Sequence, residues 1–383
     1  MLKIGIDIRT LMDEHYSGVS EYTFHLVNEF LRLDKDDEFG LYYNSGRDIS
    51  SRLPSFSEKN VKVVGTRYPN KIFNYVLQKL LGYPKIDKTL GGVDVFWSPH
   101  INFLSLSKAP RKFLTIHDLS FLRYPEFFNK RKNLWHQLIN TKNLANNFDH
   151  LIAVSQNTKN DIVELLHISP EKVTVIHSGI DSPYHLVSDF EKFEKVKIKY
   201  ELPEKFILYL GNVEPRKNLI GLIKAYNELR SNHLELFEFK LVIAGATGWK
   251  IKDIFNELYS SEYENDIKFL GYVDKEDKPS LYSLCSVFVY PSFYEGFGFP
   301  PLEAMACGAP VVTSNVSSLP EIVGSAALTV DPYNVGAISE AMVQVLTDDA
   351  LAEKLRQEGF RQVKKFSWEN TARQYLELFR KDN

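Results

Sequence analysis

Short apolar runs alternate with longer amphipathic ones along this chain, and the pattern plays through twice. "KIGIDI", Lys3 to Ile8, is followed after a loop by the helical spacing of "SEYTFHLVNEFLRL". "VDVFWSP", "KFLTIHDL", "HLIAVS" and "VTVIHSG" come next, each short and bounded by turn residues. A charged interval, "DFEKFEKVKIKYELPEK", interrupts the rhythm, which restarts with "FILYLGN", "FKLVIAG", "IKFLGYV", "VFVYPS", "APVVTS" and "AALTVD". Strands that read as continuous apolar runs are buried on both faces, and alternation with helices makes parallel sheets. Two such runs predict an α/β protein of two doubly wound domains, residues 1–185 and 186–383, divided near Asp181 to Lys199. A length of 383 residues suits two cores better than one. The last segment, "FSWENTARQYLELFRK", reads as an amphipathic helix. Ligands bind beyond the carboxyl ends of parallel strands, so two such domains side by side would turn their loops toward one cleft.

The net charge of −3 gives no sign of a nucleic-acid binder, but it conceals an asymmetry. Between Arg52 and Asp149 there are 16 Lys and Arg against 6 Asp and Glu, a balance of +10 that leaves −13 elsewhere. A basic block in an otherwise acidic chain suits an anionic surface or a scattered solvated one. Cys285 and Cys307 lie in apolar contexts without metal-ligand spacing and read as buried hydrophobes in a reducing compartment. Lys3, Asp7 and Arg9 break up the apolar start, so it is not read as a secretion signal. No window reaches the ~18 apolar residues of a membrane-spanning helix. The expected location is cytoplasmic.

The segment "SFYEGFGFPPLEAMACGAPVV" carries most of the chemistry. It reads as a loop after a buried strand, leading into a helix that has Pro301 in its first turn and Gly308 past its end. Gly296 and Gly298 permit positive φ and close approach of a ligand. Exposed amides at the helix start favour phosphate or a hydroxyl-rich group. Glu295 at the loop start and Glu303 in the first helical turn can face one cavity; read alone, Glu303 merely complements the helix dipole. In "LYLGNVEPRKNL", Gly211 ends a strand, and Arg216 and Lys217 stand before a helix, where cations call for an offsetting anion. An adjacent Arg and Lys suit a diphosphate. "FLTIHDLSF" puts His117 and Asp118 at a strand end, where His117 is a hydrogen-bond partner, a general acid/base or a core histidine. Gly18 follows the first strand and loop, but neither the dinucleotide fingerprint nor a P-loop is present. The one acidic D-x-D, Asp34 to Asp36, reads as solvated surface, and no metal site is expected.

Together these segments resemble retaining glycosyltransferase family 4, which has the GT-B fold of two Rossmann-like domains facing each other across a cleft. "YEGFGFPPLEAMACGAPVV" carries the family's E-x7-E pattern, Glu295 to Glu303, and "GNVEPRKNL" and "TIHDL" look like its diphosphate and first-domain histidine motifs. "AVSQNTKNDI" and "VIHSGID" match it too, and the wording is most like bacterial O-antigen mannosyltransferases. The resemblance implies that Arg216 and Lys217 hold the nucleoside diphosphate and stabilise its departing charge. It implies that Glu303 accepts hydrogen bonds from ribose, and that Glu295 binds sugar hydroxyls beside the amides of Gly296, Phe297 and Gly298. His117 would contact the donor sugar, Gly18 would let its loop approach the diphosphate, and Gly211 would line the donor site. The implied reaction moves a hexose, mannose by the subgroup wording, from a GDP- or UDP-linked donor with retention and without a protein nucleophile. An Arg/Lys pair with a helix N-terminus stands in for a divalent metal, so no cofactor is expected.

The acceptor implied is a saccharide or lipid-linked saccharide for cell-surface polysaccharide, extended at the inner membrane face. "TRYPNKIFNYVLQKLLGYPKIDK" and "FLRYPEFFNKRKNLWHQ" mix basic with aromatic residues, so residues 66–142 become the expected contact with an anionic membrane. In this fold the last helix crosses back to the first domain. The alternatives are a sugar-nucleotide epimerase or dehydrogenase, disfavoured by the missing dinucleotide fingerprint, and a non-catalytic sugar-nucleotide binder.

Overall fold

The computed structural model describes residues 1–13, 16–49, 52–180 and 183–381. Asp181, where the expected domain boundary and "VIHSGID" fall, lies outside the described residues. The strands are β1 (Lys3–Asp7), β2 (Glu38–Asn44), β3 (Val61–Thr66), β4 (Val95–Ser98), β5 (Arg111–Ile116), β6 (His150–Ala153) and β7 (Val173–Val175), then β8 (Lys205–Leu210), β9 (Phe239–Ala244), β10 (Ile267–Gly271), β11 (Val287–Tyr290), β12 (Val311–Ser314) and β13 (Leu328–Val330). They form two sheets, ordered β3-β2-β1-β4-β5-β6-β7 and β10-β9-β8-β11-β12-β13. Every pairing is parallel, as for Ile4 between Phe39 and Val95, and Val287 opposite Ile207. These are the two doubly wound sheets that the alternation predicts.

Each sheet reverses its winding once. In the first, the chain moves outward from β1 to β3 and then returns to the other side of β1 with β4. In the second, β8 to β10 run one way and β11 returns beside β8. The crevice past the carboxyl ends at such a reversal is where an open α/β sheet binds its ligand. Strands β4, β11 and β12 are buried at every residue, as strands covered on both faces must be.

Two strands escape the sequence reading. Neither "EFGLYYN" (β2) nor "VKVVGT" (β3) is a continuous apolar run. β3 is an edge strand with no fully buried residue, so the signal that marks central strands is missing from it. The charged segment before the second repeat is a surface helix, Phe190–Tyr200, capped by the Asp189 carboxylate on the amides of Glu191 and Lys192.

The chain divides into two compact units that exchange two segments, unlike a single cut after residue 185. The first comprises Met1–Leu122, Arg131–Gly179 and the chain from Ser367 onward; the second comprises Arg123–Lys130 and Ile180–Phe366. The final helix, Trp368–Arg380, belongs to the first unit because its apolar face fits there. Trp368, Ala372, Tyr375, Leu376 and Phe379 are buried at helical spacing. They pack on the first helix, Gly18–Leu33, whose Tyr22, Leu26, Val27 and Phe30 are fully buried. Tyr375 Oη lies 2.5 Å from Tyr22 Oη and 2.7 Å from Thr115 Oγ1, so the buried hydroxyls satisfy one another.

Only half of the acidic D-x-D is solvated as expected: Asp36 is exposed, whereas Asp34 is buried. Asp34 and Asp37 are buried, and Arg380 of the last helix donates to both carboxylates, at 2.9 Å for Asp37 Oδ2. Asp34 Oδ1 also accepts the amides of Asp36 and Asp37, at 3.0 and 3.1 Å, which closes the turn after the first helix. Cys285 and Cys307 are buried free thiols whose pKa values burial raises, consistent with small hydrophobes.

Candidate active site

The reversal point of the second sheet gathers four charged side chains. Past β8, Pro215–Lys217 forms one tight turn, and Asn218, at φ 57°, caps the helix Leu219–Asn232 by accepting the Gly221 amide at 3.2 Å. Past β11 comes the loop of Ser292 to Gly298. A backbone contact joins the two connections: Phe293 N–H donates to Arg216 O at 2.9 Å.

Glu295 is the hub. Its carboxylate accepts from Lys217 Nζ at 2.5 Å, Arg216 Nη1 at 3.1 Å and Ser292 Oγ at 2.7 Å. Arg216 also donates to Glu214 Oε1 through Nε and Nη2, at 3.2 and 3.0 Å, and to Tyr294 O at 2.6 Å. Lys217 Nζ donates to Tyr290 Oη at 2.7 Å, and the Tyr290 ring stacks on Tyr209 with centroids 5.7 Å apart. Glu214, Lys217 and Glu295 are only 2%, 7% and 7% exposed. The anion that offsets two cations at a helix start is therefore internal, supplied by Glu214 and Glu295. Glu295 thus faces Lys217 and Arg216, where the sequence reading expected it to face sugar hydroxyls.

Burial by itself would raise the Glu295 pKa. The charges of Arg216 and Lys217, with hydrogen bonds from Lys217 and Ser292, outweigh it and hold the pKa at about 2. Burial lowers the Lys217 pKa, and the like charge of Arg216 adds to it against the pull of Glu295 and Glu214. A carboxyl held below its unfolded value stabilises the fold when ionised, fully so above about pH 4.5, and that stabilisation is lost as pH falls through about 2. It amounts to on the order of 3 kcal/mol. In acid-unfolding titrations, Glu295→Gln should lose the part of the pH slope that lies between pH 4.5 and 2. An identical slope in both proteins would contradict the paired geometry.

The remaining expected residues lie where their motifs put them, but with other contacts. Glu303 sits in the second turn of the helix Phe299–Ala306, since that helix starts two residues before Pro301, and it accepts from Tyr282 Oη at 2.9 Å. It shares none of the Glu295 hydrogen bonds described above. Of the two loop glycines only Gly298 takes a positive φ, 111°, and a Cβ there would stand 2.9 Å from Leu319 Cδ2. Pro300 and Pro301 carry no N–H, so the first turn of this helix has fewer amide donors than expected. Phe297 is buried, with its ring against Phe299 and Phe366 and its carbonyl accepting from Ser318 Oγ at 2.8 Å. Gly211 donates its N–H to Ala244 O at 2.9 Å, which leaves that amide engaged in the fold.

In the first unit, Gly18 is the exposed first residue of its helix, behind the Ser17 cap. His117 Nε2 donates to Pro99 O at 2.8 Å, so this nitrogen carries the proton. Burial lowers its pKa against the opposing effects of that hydrogen bond and Asp118, and the ring meets Tyr22 edge-on at 4.7 Å. Asp118 Oδ1 accepts the Ser120 amide and hydroxyl at 2.9 and 2.5 Å, a local turn. No group of three or more His, Cys, Asp or Glu among the described residues is placed to hold a metal ion.

Sequence reasoning missed Glu214, Tyr290 and Ser292. Glu214 is part of the quoted "EPRKN" segment, and a carboxylate two residues before Arg216 was the available signal. Tyr290 and Ser292 gave none beyond ending a strand.

Comparison with known proteins identifies the family. The family model described as Glycosyl transferases group 1 matches residues 190–362, and that of Glycosyltransferase Family 4 matches 16–182. The chain is 37% identical to O-antigen chain mannosyltransferase B of Escherichia coli over 283 residues, 73% of this chain and 72% of that protein. It is 36% identical to the serotype-specific mannosyltransferase WbdA of Escherichia coli over 60% of this chain, although the match spans only 28% of WbdA. Among solved structures, sucrose-phosphate synthase from Thermosynechococcus elongatus superposes with a TM-score of 0.75 at 19% identity, covering 99% of this chain and 98% of that one. Anabaena Alr3699/HepE in complex with UDP and glucose gives 0.71 at 19% identity, covering 99% of both chains. At that identity the likeness carries the fold, which is GT-B. The chain belongs to the group 1 glycosyl transferases of glycosyltransferase family 4 and is a glycosyltransferase.

Proposed function

We propose that this enzyme transfers mannose from GDP-mannose, with retention, to a saccharide or lipid-linked saccharide in O-antigen or related surface-polysaccharide synthesis. The observation that carries the reading is the cation pair of buried Lys217 and partly buried Arg216 at the reversal point of the second sheet. The names of its relatives supply the sugar and the pathway. Family membership favours neither the epimerase or dehydrogenase alternative nor a non-catalytic binder.

The chemistry follows from charge. Breaking the sugar–phosphate bond leaves an oxocarbenium-like sugar and a diphosphate anion. Arg216 and Lys217 stabilise that anion as it forms. In the free protein their charge is cancelled by Glu214 and Glu295, so donor binding exchanges partners. The diphosphate takes over Lys217 and Arg216 contacts, and Glu295 turns to the sugar hydroxyls. Glu303 reaches ribose once Tyr282 releases it, while the amides of Gly296, Phe297 and Gly298, with Gly211, line the donor. His117 contacts the sugar, and Gly18 permits close approach of its loop. The departing charge then needs no divalent ion. A panel of nucleotide sugars should show binding and slow hydrolysis strongest for GDP-mannose and unchanged in EDTA. Preference for a UDP-sugar, or loss of turnover in EDTA, contradicts the donor or the metal-free mechanism respectively.

The basic block supports a place at the inner membrane face. No helix of the described chain is long and apolar enough to cross a membrane. Phe73 is core, but the helix Ile72–Leu81 leaves Leu80 and Leu81 77% and 67% exposed, next to exposed Lys71 and Lys79. Lys79 donates to Leu138 O and so ties this helix to Lys130–Ile139, where Leu134 is exposed beside Arg131 and Lys132. Exposed leucines with neighbouring cations fit an anionic bilayer, at ~1 kcal/mol per basic residue near the surface. The double variant Leu80→Glu, Leu81→Glu should lower co-sedimentation with anionic liposomes at least tenfold. Salt-insensitive binding, or none by the wild type, removes the idea.

A further inference from the structure

The reversal point of the first sheet holds a second polar cluster that the roles above do not use. Asp7 ends β1 and is fully buried against Arg9, which donates Nε to Oδ1 at 2.8 Å and Nη2 to Oδ2 at 2.6 Å. Arg9 Nη2 also donates to Phe103 O at 3.1 Å, so both ions are satisfied within the fold. His100 follows the neighbouring strand β4.

The hydrogen bonds settle where the His100 proton sits. Asn102 Oδ1 accepts the Phe103 amide at 2.8 Å, which orients its side-chain amide. Asn102 Nδ2 therefore donates to His100 Nε2, 3.0 Å away. A ring nitrogen that accepts bears no proton, so the neutral ring carries its proton on Nδ1. Nδ1 is buried and has no hydrogen-bond partner. Thr10 Oγ1, just past the carboxyl end of β1, is also buried without a partner. Burial, opposed by Asp7 and aided by the smaller effects of Arg9 and His117, holds the His100 pKa at about 4, so the ring is uncharged near neutrality.

Two orphaned polar atoms in the segments that follow adjacent strands, at the place where such a sheet binds ligands, call for a ligand oxygen. We propose that His100 Nδ1–H is a specificity-determining donor to a hydroxyl oxygen of the saccharide acceptor. This rests on the reading above that the acceptor is a saccharide. The donor is neutral and its charged neighbours cancel each other, which suits a hydroxyl and gives a phosphate no free cation. His100 as a whole residue is partly exposed while its Nδ1 is shielded from bulk water, so a hydroxyl that reaches Nδ1 bonds there without competition from solvent.

Steady-state kinetics with the full chain and a mannose-terminated oligosaccharide tests this. His100→Ala should raise the acceptor KM about five- to tenfold, with the donor KM moving less than about twofold. His100→Asn, whose amide nitrogen stands near the place of Nδ1, should recover most of the loss. An acceptor KM within about twofold of wild type in His100→Ala overturns the proposal, as does an equal rise in both KM values. Should the variants fail to fold, ring-15N-labelled wild type gives the answer: the acceptor should shift the His100 Nδ1 resonance. A resonance that stays put means a structural water holds the proton, and overturns the assignment. If the wild type transfers to no saccharide at all, the functional reading fails first, and that failure is distinct from a silent His100.

Discussion

Lys217→Met should cut transfer from the nucleotide sugar by about 10²- to 10³-fold, the range typical of removing one group that stabilises developing charge. Methionine keeps the length and apolar stem of lysine and removes only the charge and its hydrogen bonds. The effect reaches Glu295 as well. With Lys217 gone, the carboxylate keeps Arg216 and Ser292 but loses its shortest partner, at 2.5 Å, and its pKa should move up from about 2. Breaking a buried ion pair on one side costs roughly 3–5 kcal/mol, so kinetics must be run where circular dichroism shows the variant folded. A folded variant with wild-type kcat/KM for the donor would sink the assignment of this cluster as the diphosphate site.

The second large effect concerns stability. Phe379→Ala should destabilise the first unit by about 3–5 kcal/mol and lower its unfolding midpoint by roughly 10 °C. Phe379 is fully buried near the chain end, with ring centroids 5.0 Å from Phe113, 5.8 Å from Tyr375 and 5.9 Å from Phe30. Alanine would leave a cavity among aromatic rings that cannot collapse far, since Phe113 lies on a strand and Phe30 on a packed helix. Calorimetry reads the change directly. A shift under about 3 °C would mean that the last helix is not a structural part of the first unit.

Much of the fold was legible because its signals are local. A central parallel strand announces itself as an unbroken apolar run, and β4, β11 and β12 do so. β3 does not, because it is an edge strand with no fully buried residue, and β2 does not, because Glu38, Gly40 and Asn44 interrupt its apolar run. The site was legible in part for the same reason. Arg216 and Lys217 are adjacent, and Glu295 and Glu303 share one segment, so their presence could be read. Their pairing could not. Glu295 and Glu303 were expected to act together, yet the first meets cations 78 and 79 residues earlier and the second meets Tyr282.

Residue order alone settled that this chain builds two parallel, doubly wound sheets and carries a cation pair beyond one strand and a glutamate beyond another. Periodicity and turn residues encode those features within a few positions. Tertiary structure decided that β11 lies beside β8, which brings Glu295 onto Lys217, and that Arg380 neutralises Asp34 and Asp37 more than 340 residues away. Strands adjacent in a parallel sheet are separated along the chain by whole crossovers. Which charges become neighbours therefore depends on strand order and helix docking, and no local pattern of residues records either.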